Sequence, residues 1–553
     1  MPDGNVVRPG KPETGKSKKT FSLKSLEGAV LLMASVLFVF TTVSFLKISF
    51  FSQSTDTAGM VDLISNVAAG KGMVSPTFTT FYSVWILLVK TPELYCREAF
   101  DSLFVDANFA RWHPYLISYP MAALTWLPGV DAFYVTILAL AVSLTSGLAA
   151  AYWFLRGQGV AAALAALFVG TVFLFQPWAG NLVGQFYFDR LFFLPALILV
   201  FTVHERMKTG GGNWLPIVFS ALVCFLISER SVIMAGAFLI AYTFLWRPAI
   251  WRSRDACILI ALGLSGFVYF ALYAAFVQDS KYYTSISLAS VLGALHNSFD
   301  PNGHLRPQTM KLIAMVLPMV ALSIFNWRGF LLTVGALLPN FLVTVGGAEK
   351  TGVTTHYHMP YLPFIVAGAA IGVVGLLDLA SKVGGTRRLG RQVLIGGGIA
   401  TVGAYGYYFD LTDLARPVSF TATPGNSQFA ALAPLDSWPL IQIAKARQDF
   451  FQRVAAEIPP GATVSASDWA MPALIDRGIK LIDHAPVGLG QRDYVILEYP
   501  AGEPEMPIVP SFMAGEDLKT IRRCVDDRVR ATYEPISEVA NPGSTFVIFK
   551  PRT

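Results

Sequence analysis

One candidate general base lies just beyond the first long apolar run: Asp56, in "FFSQSTDTAGMVDLISNVAAGKG", residues 50 to 72. Ionisable groups recur beside later apolar runs. They are Arg111 and His113 in "FARWHPYL", Asp189 and Arg190 in "GQFYFDRLFFLP", Glu229 and Arg230 in "FLISERSVIM", and Lys350, His356, Tyr357 and His358 in "EKTGVTTHYHMPYLP". Charge at membrane depth is costly, so such residues are usually paired or functional. A carboxylate can deprotonate an acceptor hydroxyl while Arg, Lys or His neutralises a departing phosphate. The set therefore fits sugar transfer from a lipid phosphate. Asp56 would be the base, and Arg111, His113, Arg190, Arg230, Lys350, His356, Tyr357 and His358 the donor phosphate and sugar contacts. Asp62, Asp189 and Glu229 would orient those cations or the acceptor.

Simpler roles compete with these. Asp56 is equally placed to cap a helix over "TAGMVDLISNVAA", where Met60, Val61, Ile64, Val67 and Ala68 recur at helical spacing. Asp189 with Arg190, and Glu229 with Arg230, are sequence neighbours that do not face each other on a helix, so pairing across helices is the structural alternative. His356 and His358 share a face if that stretch is extended and could take a metal. No further ligand is evident, so no cofactor is assigned and a divalent metal is left open.

The elements that must position these residues follow from composition. Of 553 residues 54% are hydrophobic and 14% charged, against about 25% charged in an ordinary globular chain. That makes the chain a polytopic membrane protein. A net charge of +6 without a basic stripe gives no nucleic-acid partner. The polar head, residues 1 to 25, carries Lys16, Lys18, Lys19 and Lys24 and is expected to be a disordered cytoplasmic tail. The run from Ala29 to Phe50 is long enough to be a retained anchor. Ten later runs follow, near 130–155, 160–177, 188–204, 214–228, 231–246, 256–277, 309–325, 329–345, 359–378 and 393–409. About eleven spans are thus expected across a transmembrane domain over 26–409.

With the N-terminus inside, every loop due to be cytoplasmic is basic: Arg156; Arg206 and Lys208; Arg247, Arg252 and Arg254; Arg328; and Lys382, Arg387, Arg388 and Arg391. The opposite loops are 51–129, 178–187, 278–308 and 346–358. Segments 76–90 and 114–128 of the first loop suit interfacial or re-entrant helices better than spans. The helix after Asp56 is expected to lie at the headgroup level.

Residues 410–553 have the composition of an extracytoplasmic α/β domain. Strands are expected at "ATVSAS", "IKLI", "DYVILEY" and "STFVIFK", and a helix after the first strand. Nothing there suggests nucleotide binding. The four cysteines, at 96, 224, 257 and 524, are expected as free thiols, with a bridge from Cys96 to Cys524 the alternative.

The ordered set of motifs resembles a domain-of-unknown-function family of bacterial polytopic proteins, the DUF2079 type. Asp56, Asn66, Gly70, Lys71 and Gly72 fall on its first-loop pattern. "RWHPYLISYPMAAL" is similar to its His segment, "YFDRLFFLPALIL" to its Asp-Phe-His-Pro segment, and "LISERSVIMAG" to its Lys-Glu-Asp segment. "HYHMPYLPF" and "IPPGATVSAS" match its His-Tyr-Pro element and outer-domain opening. Arg190 and Leu191 stand where Phe and His are usual, and Arg230 replaces the Asp. The family resembles the GT-C class of integral-membrane glycosyltransferases. That implies an inverting enzyme of the bacterial inner membrane, with a first-loop acid as base and a polyprenyl-phosphate sugar donor. An outer domain would cover the site, and the acceptor would be an extracytoplasmic glycan, lipid or protein. Two other classes use the same features: a flippase for lipid-linked saccharide, and a non-catalytic envelope assembly protein.

Overall fold

A computed structural model describes residues 28, 30, 32–38, 55–80, 108–170, 186–247, 253–278, 302, 316–342, 359–382, 392 and 449–552, the last with short gaps. The helices are α1 (Thr55–Ala68), α2 (Ser118–Leu124), α3 (Ala132–Gly157), α4 (Ala162–Leu167), α5 (Phe193–Thr209), α6 (Leu215–Ile227), α7 (Glu229–Trp246), α8 (Arg254–Phe276), α9 (Trp327–Leu342), α10 (Leu362–Lys382) and α11 (Glu516–Thr532). Among the described residues four of these, α3, α7, α8 and α10, are long and apolar enough to cross a membrane, and α6 and α9 are shorter apolar helices. The runs at 188–204 and 214–228 become α5 and α6. Those at 29–50, 160–177, 309–325 and 329–345 are described only in part, and the run at 393–409 lies outside the described residues.

Polar anchors hold the described helix ends at two levels. At one level Arg206, ending α5, bonds Asp255 at the start of α8 at 2.9 Å and lies 3.9 Å over the Trp214 ring before α6. Arg328, opening α9, sits 3.7 Å over Trp246 at the end of α7. These arginines belong to the loops that are basic in the sequence. The opposite ends of α6 and α7 meet at Ser228, whose extended backbone breaks one helix from the next. The N-terminal end of α5 lies at that level too, led by the buried 3-10 turn Phe188–Phe192.

The helix after Asp56 is a core element, not the interfacial one expected. Ala58, Met60, Val61, Leu63 and Ile64 are at most 1% exposed, and Thr57, Asp62 and Asn66 are also buried. Its polar groups can be buried because each finds a partner. Gly70 and Gly72, with φ of 76° and 78°, turn the chain back. Phe109 then donates to the Met73 carbonyl at 2.8 Å. Gly59 allows the 76–80 turn to approach closely, since a Cβ there would meet Phe78 Cβ at 2.7 Å. In the other first-loop segment, seven-residue α2 is about 10 Å long and cannot cross. Tyr119, Leu124, Trp126 and Leu127 around it are exposed, as the interfacial reading of 114–128 expects. Of 76–90, only residues 76–80 are described.

The C-terminal domain carries a five-stranded sheet in the order β2-β1-β3-β5-β4. The strands are β1 (Thr463–Ala466), β2 (Leu481–His484), β3 (Tyr494–Pro500), β4 (Tyr533–Asn541) and β5 (Ser544–Pro551). β1 pairs in parallel with β2 and β3, and β5 antiparallel with β3 and β4. Val495, Leu497 and Tyr499 pack under Val525 and Val529 of α11. The other face, with Val464, Ile496, Phe546 and Ile548, belongs to one contiguous core that also contains Met60, Phe109 and Leu140 of the helical body. The helix expected after β1 is instead a 3-10 turn, Met471–Ala473, with Pro472 in it. Cys224 and Cys257 carry thiols, but Cys524 is disulfide-bonded, which corrects the expectation of four thiols. The one remaining cysteine, Cys96, lies outside the described residues.

Candidate functional site

Three chain segments converge on a buried charged cluster. The first is the first-loop turn after the 3-10 helix Phe109–Arg111, which presents His113 and Tyr115. The second is the turn at Phe188–Phe192, which buries Asp189 and Arg190. The third is the break at Ser228, which delivers Glu229 and Arg230 at the start of α7. The Ile117 amide donates to the Leu226 carbonyl at 2.8 Å, joining the first loop to the end of α6. This satisfies one of the carbonyls a helix end leaves unbonded.

The cross-helix pairing foreseen for these charges is present. His113 Nδ1 lies 2.8 Å from Glu229 Oε1, and Arg230 Nη1 lies 3.7 Å from Asp189 Oδ2. The Ser228 hydroxyl donates to Asp189 Oδ1 and accepts from the Ser231 amide at 3.2 Å, capping α7. His113, Asp189, Arg190 and Glu229 are all buried. Ser228 and Tyr115 were not singled out from sequence. The helix break at Ser228 is the signal that could have found the serine, because an N-cap Ser before Glu-Arg marks where a buried helix starts.

Asp56 is the second residue of α1. Its neighbour Thr57 bonds Phe186 in both directions, accepting from the amide at 3.1 Å and donating to the carbonyl at 3.4 Å. Phe186 is three residues before Asp189. The start of α1 is therefore fastened to the strand of chain that enters the charged cluster.

Two candidates do not join the cluster. Arg111 is exposed. Asp62 is buried in a separate polar knot within the first loop. It accepts from Asn66 Nδ2 at 2.9 Å, Ser75 Oγ at 3.0 Å and the Thr77 amide at 3.4 Å. That geometry pins the 72–80 turn onto α1 and leaves the acid facing its own loop. Lys350, His356, Tyr357 and His358 lie outside the described residues. Among the described residues no three His, Cys, Asp or Glu side chains group as metal ligands.

Burial pushes the Asp62 carboxyl up to about 6 from 3.8, against its hydrogen bonds to Thr77 and Ser75 and the Lys71 charge. A raised carboxyl pKa adds stability that is complete below 3.8 and is lost as pH rises through about 6. At about 1.4 kcal/mol per pKa unit the difference approaches about 3 kcal/mol. Asp62→Asn, an uncharged isostere, should match the parent near pH 4 and melt higher than it at pH 8. Thermal unfolding followed across that range checks this, and parallel curves at all pH values would refute it.

The C-terminal domain touches the same first-loop unit. The His484 amide, at the end of β2, donates to Thr80 Oγ1 at 2.8 Å, and Thr80 belongs to the turn that Asp62 holds. The domain is thus seated on the first loop, on the same side of the helical body.

No protein-family model matches the chain, and no curated protein matches it, so membership of the DUF2079 type has no family match behind it. Among solved structures, the chain is similar to ArnT from Cupriavidus metallidurans. The form bound to undecaprenyl phosphate is 13% identical, with a TM-score of 0.47, over 94% of this chain and 98% of that one. The apo form is 13% identical, with a TM-score of 0.48, over 95% and 98%.

Proposed function

We propose that this chain is a GT-C-like membrane glycosyltransferase that transfers a sugar from a polyprenyl-phosphate donor to an extracytoplasmic glycan, lipid or protein, with inversion. The observation that carries the reading is the double hydrogen bond of Thr57 to Phe186, which ties the start of the Asp56 helix to the segment bearing Asp189 and Arg190. Asp56 takes the proton of the acceptor hydroxyl. The freed oxygen attacks the anomeric carbon as the bond to phosphate breaks on the opposite face. Arg190, Arg230 and His113 supply positive charge for the departing phosphate, and Asp189 and Glu229 hold Arg230 and His113 in place. Lys350, His356, Tyr357 and His358 are proposed as further contacts, and a divalent metal is left open.

The topology supports an outer site. The cluster lies at the helix ends opposite the basic loops, and those loops mark the cytoplasmic side of a bacterial inner membrane. A disulfide at Cys524 suits an oxidising compartment. α6 is about 20 Å long, short of the roughly 30 Å hydrocarbon layer, so the Ser228 break would fall inside that layer, where buried charges are usually paired or functional. The N-terminus is then cytoplasmic and the C-terminal domain extracytoplasmic.

Mass spectrometry of envelope glycans from a deletion strain tests the reading. One sugar mass should disappear and return with the complementing chain. An unchanged glycan profile would count against the proposal.

A further inference from the structure

Tyr115 has no part in the roles assigned so far, yet it is among the most deeply buried residues of the site. The side chain is fully buried. Its ring lies stacked on His113 with centroids 5.2 Å apart, against Phe109 at 5.6 Å and Phe188 at 4.8 Å, and edge-on to Tyr187 at 5.8 Å. Phenylalanine would make every one of these ring contacts. What tyrosine adds is a hydroxyl, and that oxygen has no hydrogen-bond partner among the described residues. A buried hydroxyl left unbonded costs stability and calls for an explanation.

The surroundings indicate what completes it. Asp189, Glu229 and Arg230 all act electrostatically on the phenol. One oxygen of each carboxylate is bonded, Asp189 Oδ1 to Ser228 and Glu229 Oε1 to His113, and Asp189 Oδ2 and Glu229 Oε2 accept no hydrogen bond among the described residues. Arg230 holds Asp189 only at 3.7 Å, longer than a hydrogen bond. Burial, then the charges of Tyr187, Asp189 and Glu229, keep the phenol protonated, against the pull of Arg230. A neutral, protonated donor in a cluster that also carries Arg230 is suited to a group that offers only acceptors.

We infer that the Tyr115 hydroxyl donates a hydrogen bond to a phosphate oxygen of the lipid-linked donor, at the edge of the cluster where its ring stacks on His113. This rests on the lipid-phosphate reading of the site and adds a ligand contact to it. The ring fixes the hydroxyl in direction, so the phosphate is held by a rigid neutral donor as well as by the cations. No covalent step is assigned to Tyr115.

Tyr115→Phe removes only the oxygen. The test is binding of undecaprenyl phosphate to the purified full chain and the variant, by native mass spectrometry, with melting temperature measured on both. The parent should bind, the variant about tenfold more weakly, as expected for loss of one hydrogen bond to a charged group, and the variant should melt at or above the parent temperature. Equal affinity in the two proteins would overturn the inference while leaving the lipid-phosphate reading intact. A clear fall in melting temperature would also overturn it, since the hydroxyl would then be bonded within the protein. A parent that binds no undecaprenyl phosphate would overturn the lipid-phosphate reading and this contact with it.

Discussion

Asp56→Asn is expected to lower sugar transfer by about 10²- to 10⁴-fold, the range a positioned general base contributes, while membrane level, melting temperature and undecaprenyl phosphate binding stay near those of the parent. Asparagine keeps the shape of the side chain and removes its basicity. Asp56 also lies in the first turn of α1, where a negative charge favours the helix by about 0.3 to 1 kcal/mol. That is well below the roughly 4 kcal/mol that a thousandfold rate loss represents. A rate assay paired with a melting curve therefore separates the two roles. Transfer at the parent rate would remove Asp56 from the mechanism.

Glu229→Ala should be the most damaging single change to stability within the cluster. It leaves His113, 5% exposed, facing a hole where Glu229 Oε1 stood at 2.8 Å. Removing one partner of a buried pair costs about 3 to 5 kcal/mol, because the other polar group remains buried without compensation. His113→Leu combined with Glu229→Ala removes both partners and should recover much of that loss, while Glu229→Gln keeps a hydrogen-bonding group facing His113 and should lose least. Melting temperatures of the three variants in one detergent give the comparison. If Glu229→Ala melted with the parent, the pair would not be what holds the first loop to α7.

Much of this architecture was legible in local pattern. Among the described residues the apolar runs became α3 and α5 to α10, the arginines of the basic loops fell at one end of the bundle, and all four expected strands formed, with boundaries shifted by at most two residues. β4 and α11 were not anticipated. β4 contains Pro535 and a register shift between Pro535 and Ser537, and an edge strand tolerates both where an inner strand would not. α11 is strongly charged, with its apolar residues confined to the Ile521, Val525 and Val529 stripe that meets the sheet.

His113, Asp189, Arg190, Glu229 and Arg230 could be picked out one by one in the sequence, but not as pairs. His113 and Glu229 are 116 positions apart in the chain, and nothing local in either segment specifies the other. Asp62 shows the opposite limit. Its place beside the first apolar run suggested a shared site, whereas its partners Ser75 and Thr77 come from the returning turn. The amphipathic pattern of α1 was real, but burying its polar face required Phe186 and Val74 from two other segments.

The most direct test follows a labelled polyprenyl-phosphate sugar in liposomes containing the purified chain, with an envelope extract as the source of acceptor. The account predicts that the donor is consumed, that label appears in the acceptor fraction, and that Asp56→Asn does neither. Donor moved from one leaflet to the other with its sugar still attached, at equal rates for parent and Asp56→Asn, would contradict it and identify the chain as a transporter.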